Sequence, residues 1–300
     1  MSMTLRIAAA QYPLDVLTSF SAYREKIARW VEDAVAQGAE LLVFPEYGAM
    51  ELATLGGGKG DLEADIDAVT RLIPQMDEVH TALAVRHRVT IVGGSFLERT
   101  NGKTINAGHV FGPGGVKGRF EKCIPTPWER TDAKVAQGGP ISVFDIGITR
   151  LGIVICYDIE FPLISRALAE AGAELILAPS NTDAESGYWR VRIGAMARAL
   201  ENQVYTVQSP VVGAQPAVAA SPENVGAAGI FGPPDHGFPA NGVVALGAMN
   251  RPEWLIASLD LDLIRKVREE GAVRNFADWP MQPGTNALPP VGRIDISAAA

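Results

Sequence analysis

Cysteine is scarce in this chain of 300 residues, occurring only as Cys123 and Cys156. Two thiols cannot build a disulfide framework, and they fit a reducing compartment. Histidine is nearly as thin. His80, His87, His109 and His236 show no metal-ligand spacing with one another or with either cysteine, so no metal is expected. His80 and His87 read as solvated helix surface. No apolar run approaches the roughly 20 residues of a membrane span. The opening MSMTLRIAAAQYP lacks a signal-peptide layout, because Arg6 interrupts it and Gln11 follows too few apolar residues. Positive charge is not in excess either: the formal net charge is -8, which argues against a nucleic-acid footprint. No glycine-rich turn follows the first strand, where a dinucleotide-binding domain would hold phosphate. GGGKG, from Gly56 to Gly60, lacks P-loop spacing and its Ser/Thr, and reads as a loop. A soluble, cytoplasmic protein is the expectation.

What is present is a regular alternation of strands and helices, in a chain with 47% apolar and 20% charged residues. Leu5 to Ala10 reads as a buried strand. Ser21 then caps a helix with Ile27, Trp30, Val31, Ala34 and Val35 on one apolar stripe, Gly38 ends it, and AELLVF forms a second buried strand. A long helix over about 62–88 leads into one strand through TIVGGSFLER, with shorter strands near 105–111, 117–122 and 141–146. RLGIVIC is a further buried strand, FPLISRALAEAG a helix with Pro162 near its start, ELILAPSN a strand, and YWRVRIGAMARALENQ a helix. From Ser209 to Gly247 the Gly, Pro and Ala content predicts irregular loops and short strands near the site. WLIASLDLD is a late strand, followed by a short helix from about Leu263 to Glu270.

One internal echo bears on architecture. GAELLVFPE (Gly38 to Glu46) and GAELILAPS (Gly172 to Ser180) each close a strand–helix–strand passage. Two similar halves sharing one core, in an α/β sandwich with helices on the outer faces, are expected. The whole chain, 1–300, reads as one domain with its core at about 4–270. Residues 271–300 form a C-terminal extension in which Trp279 and Met281 pack on the body or on a neighbouring subunit.

Three runs each deliver one reactive side chain where an apolar strand gives out: Glu46 in AELLVFPE, Lys122 in GRFEK and Cys156 in LGIVICYDIEFP. A thiol with an ordinary pKa of about 8.5 is mostly protonated at neutral pH. A carboxylate can take its proton, and an ammonium can steady the oxyanion that follows its attack on a carbonyl. Cys156 at a strand-to-helix elbow faces a helix N-terminus, which favours thiolate and offers the Tyr157 N–H as an oxyanion donor. Pro45 stiffens the approach to Glu46, and burial there raises a carboxyl pKa toward that of a base. Cys123 reads as packed, and Arg198 with Glu201 as a structural helix pair.

In chain order, RIAAAQYP, LLVFPE, RFEK, GIVICYDIEFP, GAELILAPSN and RALENQVY resemble the nitrilase, or carbon–nitrogen hydrolase, superfamily. The resemblance spans nearly the whole chain. It implies an αββα sandwich that forms a homodimer or higher homo-oligomer, a catalytic triad of Glu46, Lys122 and Cys156, and no cofactor. It also implies a supporting role for Glu129, in TPWER, toward the substrate nitrogen or the attacking water. The implied reaction is hydrolysis of a small amide through a cysteine thioester. Tyr47, Trp128, Asn181 and Tyr188 are candidate pocket walls, from their nearness in sequence to these segments. Glu160 stands where many amidases of the family carry arginine, which weakens a claim on dicarboxylate monoamides. It either favours neutral or cationic substrates or serves at the helix start. The stretch KxxPTPWER is closer to a poorly characterised subgroup, some of whose members carry a fused acetyltransferase domain for which no room is expected here. Alternatives are a nitrilase acting on a small nitrile, an N-carbamoyl amide hydrolase, and a catalytically silent scaffold on the same fold. True nitrilases commonly follow the cysteine with Trp-Glu, where Tyr157 and Asp158 stand.

Overall fold

Leu5, Ile7 and Ala9 point one way from the first strand, β1 (Thr4–Pro13), while Ala8, Ala10 and Tyr12 point the other, and all six are buried. A strand apolar on both faces must lie between two layers. The computed structural model, which describes residues 3–57 and 60–285, shows what those layers are.

Beside β1 run the parallel strands β2 (Leu41–Val43) and β3 (Thr90–Val92), then antiparallel β5 (Lys103–Phe111) between β4 (Phe96–Thr100) and β6 (Lys117–Glu121). The second face is built from β7 (Val143–Asp145), β8 (Arg150–Ile153), β9 (Leu175–Ser180) and β10 (Tyr205–Ala214), the last three parallel. Short β11 (Glu223–Asn224), β12 (Gly229–Phe231) and β13 (Val243–Leu246) extend that face, and β14 (Glu253–Asp260) returns antiparallel to β1. The two faces pair as strands where Tyr12 and Pro13 meet Val211 and Val212. One apolar cluster lies between the faces and holds Ile7, Ala9, Leu41 and Val43 against Leu151, Ile153, Leu175 and Leu177.

The outer surfaces are covered by helices. α1 (Phe20–Ala36) and α2 (Leu62–His87) pack on Ala8, Ala10, Leu42 and Ile91, while α4 (Pro162–Glu170) and α5 (Glu185–Asn202) cover the far side. This is the expected αββα sandwich. Its two similar units are β1–α1–β2 and β8–α4–β9, each a parallel pair joined through a helix. The short α3 (Pro127–Thr131) sits between the halves, and α6 (Leu261–Glu270) and α7 (Asn275–Asp278) close the described chain. Among the described residues no helix is long and apolar enough to cross a membrane.

Several local expectations need correction. Ser19, not Ser21, caps α1, accepting from Ala22 N, and starting there brings Phe20 beside Tyr23 with ring centroids 5.6 Å apart. TIVGGSFLER is two strands, because Gly94 passes so near the loop after β2 that a Cβ on it would lie 2.9 Å from Gly48 Cα. The strand before Cys156 ends at Ile153, and residues 205–214 form a full strand, so that the Gly/Pro-rich stretch is irregular only beyond it. His80 is buried, not solvated, stacked on Phe111 at 5.1 Å. In the extension, Arg166 lies over the rings of both Phe276 and Trp279, docking that segment on the body, and Met281 is 81% exposed on the single chain. Residues 286–300, and Gly58 and Lys59 of GGGKG, lie outside the described residues.

Candidate active site

Glu46 follows β2 by three residues and turns inward because the next peptide is pinned. Pro45 O accepts from Gly48 N at 3.2 Å and Ser95 N at 3.1 Å, and Tyr47, left-handed at φ 57, donates its N–H to Ser95 Oγ at 3.1 Å. Gly48 and Gly94 make that close passage sterically possible. The Glu46 carboxylate is buried. Its Oε1 accepts from Lys122 Nζ at 2.7 Å and Asn106 Nδ2 at 2.9 Å, and its Oε2 from Asn181 N at 2.9 Å.

Lys122 follows β6 directly. Its N–H donates to Asn106 O at 2.9 Å, which extends the β5–β6 register by one rung and delivers the side chain into the interior. There the ammonium sits between Glu46 Oε1 and Glu129 Oε2, at 2.7 Å from each. Glu129 is held by its own helix start: Thr126 Oγ1 accepts from Glu129 N at 3.2 Å, and Glu129 Oε2 accepts from Thr126 N at 2.7 Å. This reciprocal cap locks the carboxylate before any other partner is counted. Its Oε1 also accepts from Tyr47 OH at 2.6 Å and Asn106 Nδ2 at 2.9 Å.

Cys156 is left-handed at φ 46, a conformation that non-glycine residues rarely adopt. It opens a tight turn, Cys156–Glu160, and is 6% exposed. Its Sγ donates to Asn181 O at 3.4 Å, and it faces the same cavity as the Glu46 carboxylate. Two residues on, the buried Asp158 carboxylate accepts from Cys123 N at 3.0 Å, Ile124 N at 2.8 Å and Ile155 N at 3.2 Å. Asp158 thus ties the chain leaving Lys122 to the turn carrying Cys156.

Burial pushes the Glu46 carboxyl above its ordinary value, against the pull of Lys122 and with the push of Glu129. Burial also works against ionised Glu129, but Lys122, Tyr47 and the Thr126 N–H together hold it below the usual range. For Lys122, burial alone would depress the ammonium; the two carboxylates outweigh it and raise it. Burial, then Glu46, pushes the Cys156 thiol up. Both effects work against the thiolate that a helix N-terminus favours. A five-residue turn supplies too little dipole to offset desolvation and a neighbouring negative charge.

These groups share a cavity of about 360 Å³. Tyr47, Trp128, Tyr157, Glu160 and Asn181 line it, and the chain from Ala219 to Glu223 forms a further wall. Tyr188 does not line it: that side chain is buried on α5, its hydroxyl accepting from Arg192 Nη1 at 2.9 Å. Glu160 stands at the mouth, 3.5 Å from Arg190 Nε. Asn181 is more than a wall, since its peptide touches both Glu46 and Cys156 while its side chain donates to Ser221 Oγ at 2.7 Å. Sequence reasoning missed Asn106 and Asp158. The one available signal for Asn106 was a lone amide between Ile105 and Ala107 in an apolar strand. The Arg198–Glu201 pair is present at 2.8 Å, away from the cavity.

A family model described as carbon-nitrogen hydrolase matches residues 6–269. The "Probable hydrolase YhcX" of Bacillus subtilis is 33% identical over 91% of this chain, which spans only 53% of that relative's length. The "Deaminated glutathione amidase" of Synechocystis is 28% identical over 80% of this chain and 86% of that protein. Among solved structures, a carbon-nitrogen hydrolase from Helicobacter pylori superposes with a TM-score of 0.73 at 19% identity, over 93% of this chain and 94% of that one. At that identity the likeness speaks to the fold alone.

Proposed function

The chain belongs to the carbon–nitrogen hydrolase family, and from that premise we propose that it hydrolyses a small non-peptide amide through a thioester on Cys156. The observation that carries this reading is the meeting of one thiol, one carboxylate with an open acceptor site and one ammonium at a single cavity.

Glu46 takes the Cys156 proton as sulfur attacks the amide carbon. Lys122 Nζ and the Tyr157 N–H hold the oxyanion. Glu46 returns the proton to the departing nitrogen, the carbon–nitrogen bond breaks, and ammonia or amine leaves behind a thioester. Water then gives a proton to Glu46 and adds to the thioester carbonyl. Collapse of that intermediate releases the acid and returns thiolate, which recovers its proton from Glu46. Glu129 keeps Lys122 in place between two carboxylates. A cavity of about 360 Å³ suits a small substrate.

The residues at its mouth carry more negative than positive charge: Glu160, Asp183 and Glu223 against Arg190. Neutral or cationic amides are therefore preferred over carboxylate-bearing ones. Ammonia release from propionamide, butyramide and the matching nitriles tests the reading. Amide turnover that vanishes in Cys156→Ala supports it, turnover of nitriles alone points to the nitrilase alternative, and turnover surviving in Cys156→Ala ends it.

A further inference from the structure

An ionised carboxylate has about four acceptor positions, two on each oxygen. Glu129 fills all of them, with Tyr47 OH and Asn106 Nδ2 on Oε1 and Lys122 Nζ and Thr126 N on Oε2. Glu46 fills three, with Lys122 Nζ and Asn106 Nδ2 on Oε1 and Asn181 N on Oε2. The remaining position accepts from no described residue, and Cys156 shares the cavity with it, its Sγ 3.4 Å from the carbonyl of the same Asn181 whose N–H holds Oε2.

Asn106 is the neutral member common to both sets. Its amide NH₂ gives one hydrogen to each carboxylate at 2.9 Å, parallel to the bridge that Lys122 makes. Its orientation is dictated, because Oδ1 turned toward two acceptor-only groups would be repelled. Oδ1 instead lies buried without a hydrogen-bond partner, a loss that the two charged acceptors outweigh. Two carboxylates facing one ammonium have a surplus negative charge, and such a pair tends to share a proton. Donating to both oxygens opposes that.

We propose that Asn106 is a positioning residue: it keeps the Glu46 and Glu129 carboxylates apart and ionised, and leaves one acceptor site on Glu46 for the thiol proton. This rests on the amidase reading above. Taking Asn106 away removes a donor from the charged form of Glu46, so the pH below which Glu46 stops accepting a proton rises.

The test is the pH dependence of Cys156 alkylation by iodoacetamide, followed by intact mass in the wild type, Asn106→Leu and Asn106→Ala. This needs no knowledge of the natural substrate, and the smaller alanine variant serves if leucine fails to fold. The expected result is an acid limb moved upward by about one pH unit or more in both variants, roughly a tenfold rate loss on the acid side, with rates converging at high pH. A uniform rate loss with the limb unmoved overturns the role of Asn106 while leaving the amidase reading standing. A wild-type Cys156 with no acid limb overturns both.

Discussion

Asn181 donates its main-chain N–H to Glu46 Oε2 at 2.9 Å, across 135 residues of sequence. The bond joins the strand-end loops of the two similar halves, one after β2 and one after β9. The carbonyl of the same residue lies 3.4 Å from Cys156 Sγ, so one residue touches both the Glu46 carboxylate and the Cys156 thiol.

Glu46→Gln should fold and lose activity. An amide nitrogen in place of Oε2 would meet the Asn181 N–H as donor against donor, and no general base would remain. The expected loss in kcat/KM is about 10²–10⁴-fold, the usual worth of a positioned base. Steady-state kinetics on butyramide, with circular dichroism as the folding control, checks it.

Cys123 and Cys156 should differ in reactivity. Burial, then Asp158, pushes the Cys123 thiol up to about 12. Native protein at pH 7.5 should gain one carbamidomethyl group from iodoacetamide, on Cys156, and a second only in denaturant. Peptide mapping that finds Cys123 labelled as fast would contradict this.

Asp158 should leave a signature in stability against pH. Burial lifts its carboxyl to about 6, against the pull of the three N–H groups it accepts. In the unfolded chain the value is about 3.9, so between about pH 4 and 6 the folded state holds the proton and the unfolded state has lost it. Stability from this group is thus present at acid pH and falls as pH rises through about 6, by at most about 3 kcal/mol. Urea denaturation at pH 4.5 and 7.0 should show the wild type losing ground to Asp158→Asn over that interval. A difference between the two proteins that does not change with pH would contradict the assignment.

The parts of the site legible in the sequence are those announced by a local change of character. Glu46, Lys122 and Cys156 each end an apolar run, whereas Glu129 was pointed to by the family resemblance and its capping bond to Thr126 emerges only in the structure. What was not legible depends on partners far along the chain. Asp158 binds N–H groups 34 and 35 residues away, and Asn106 reaches carboxylates 23 and 60 residues away. Tyr188 was misplaced because nearness in sequence does not choose a helix face: on α5, Gly187, Arg190 and Val191 line the cavity while Tyr188 turns into the core. The break between β3 and β4 has the same origin, since only the approach of Gly48 demands it.

Charge at the mouth should sort substrates. An amide carrying an ammonium at its far end should be preferred to its carboxylate analogue, and the ratio should narrow with added salt. Because Glu160 is already offset by Arg190 at 3.5 Å, Glu160→Gln should reduce that preference only a few-fold. An equal effect on neutral amides would remove Glu160 from any role in selection.

The thioester is the centre of the account, and acid quenching during turnover of butyramide reads it directly. Intact-mass spectrometry should find a butyryl group on the wild-type chain, mapped to Cys156, and none on Cys156→Ala. Steady hydrolysis with no acyl adduct at any quench time, undiminished in Cys156→Ala, would contradict it.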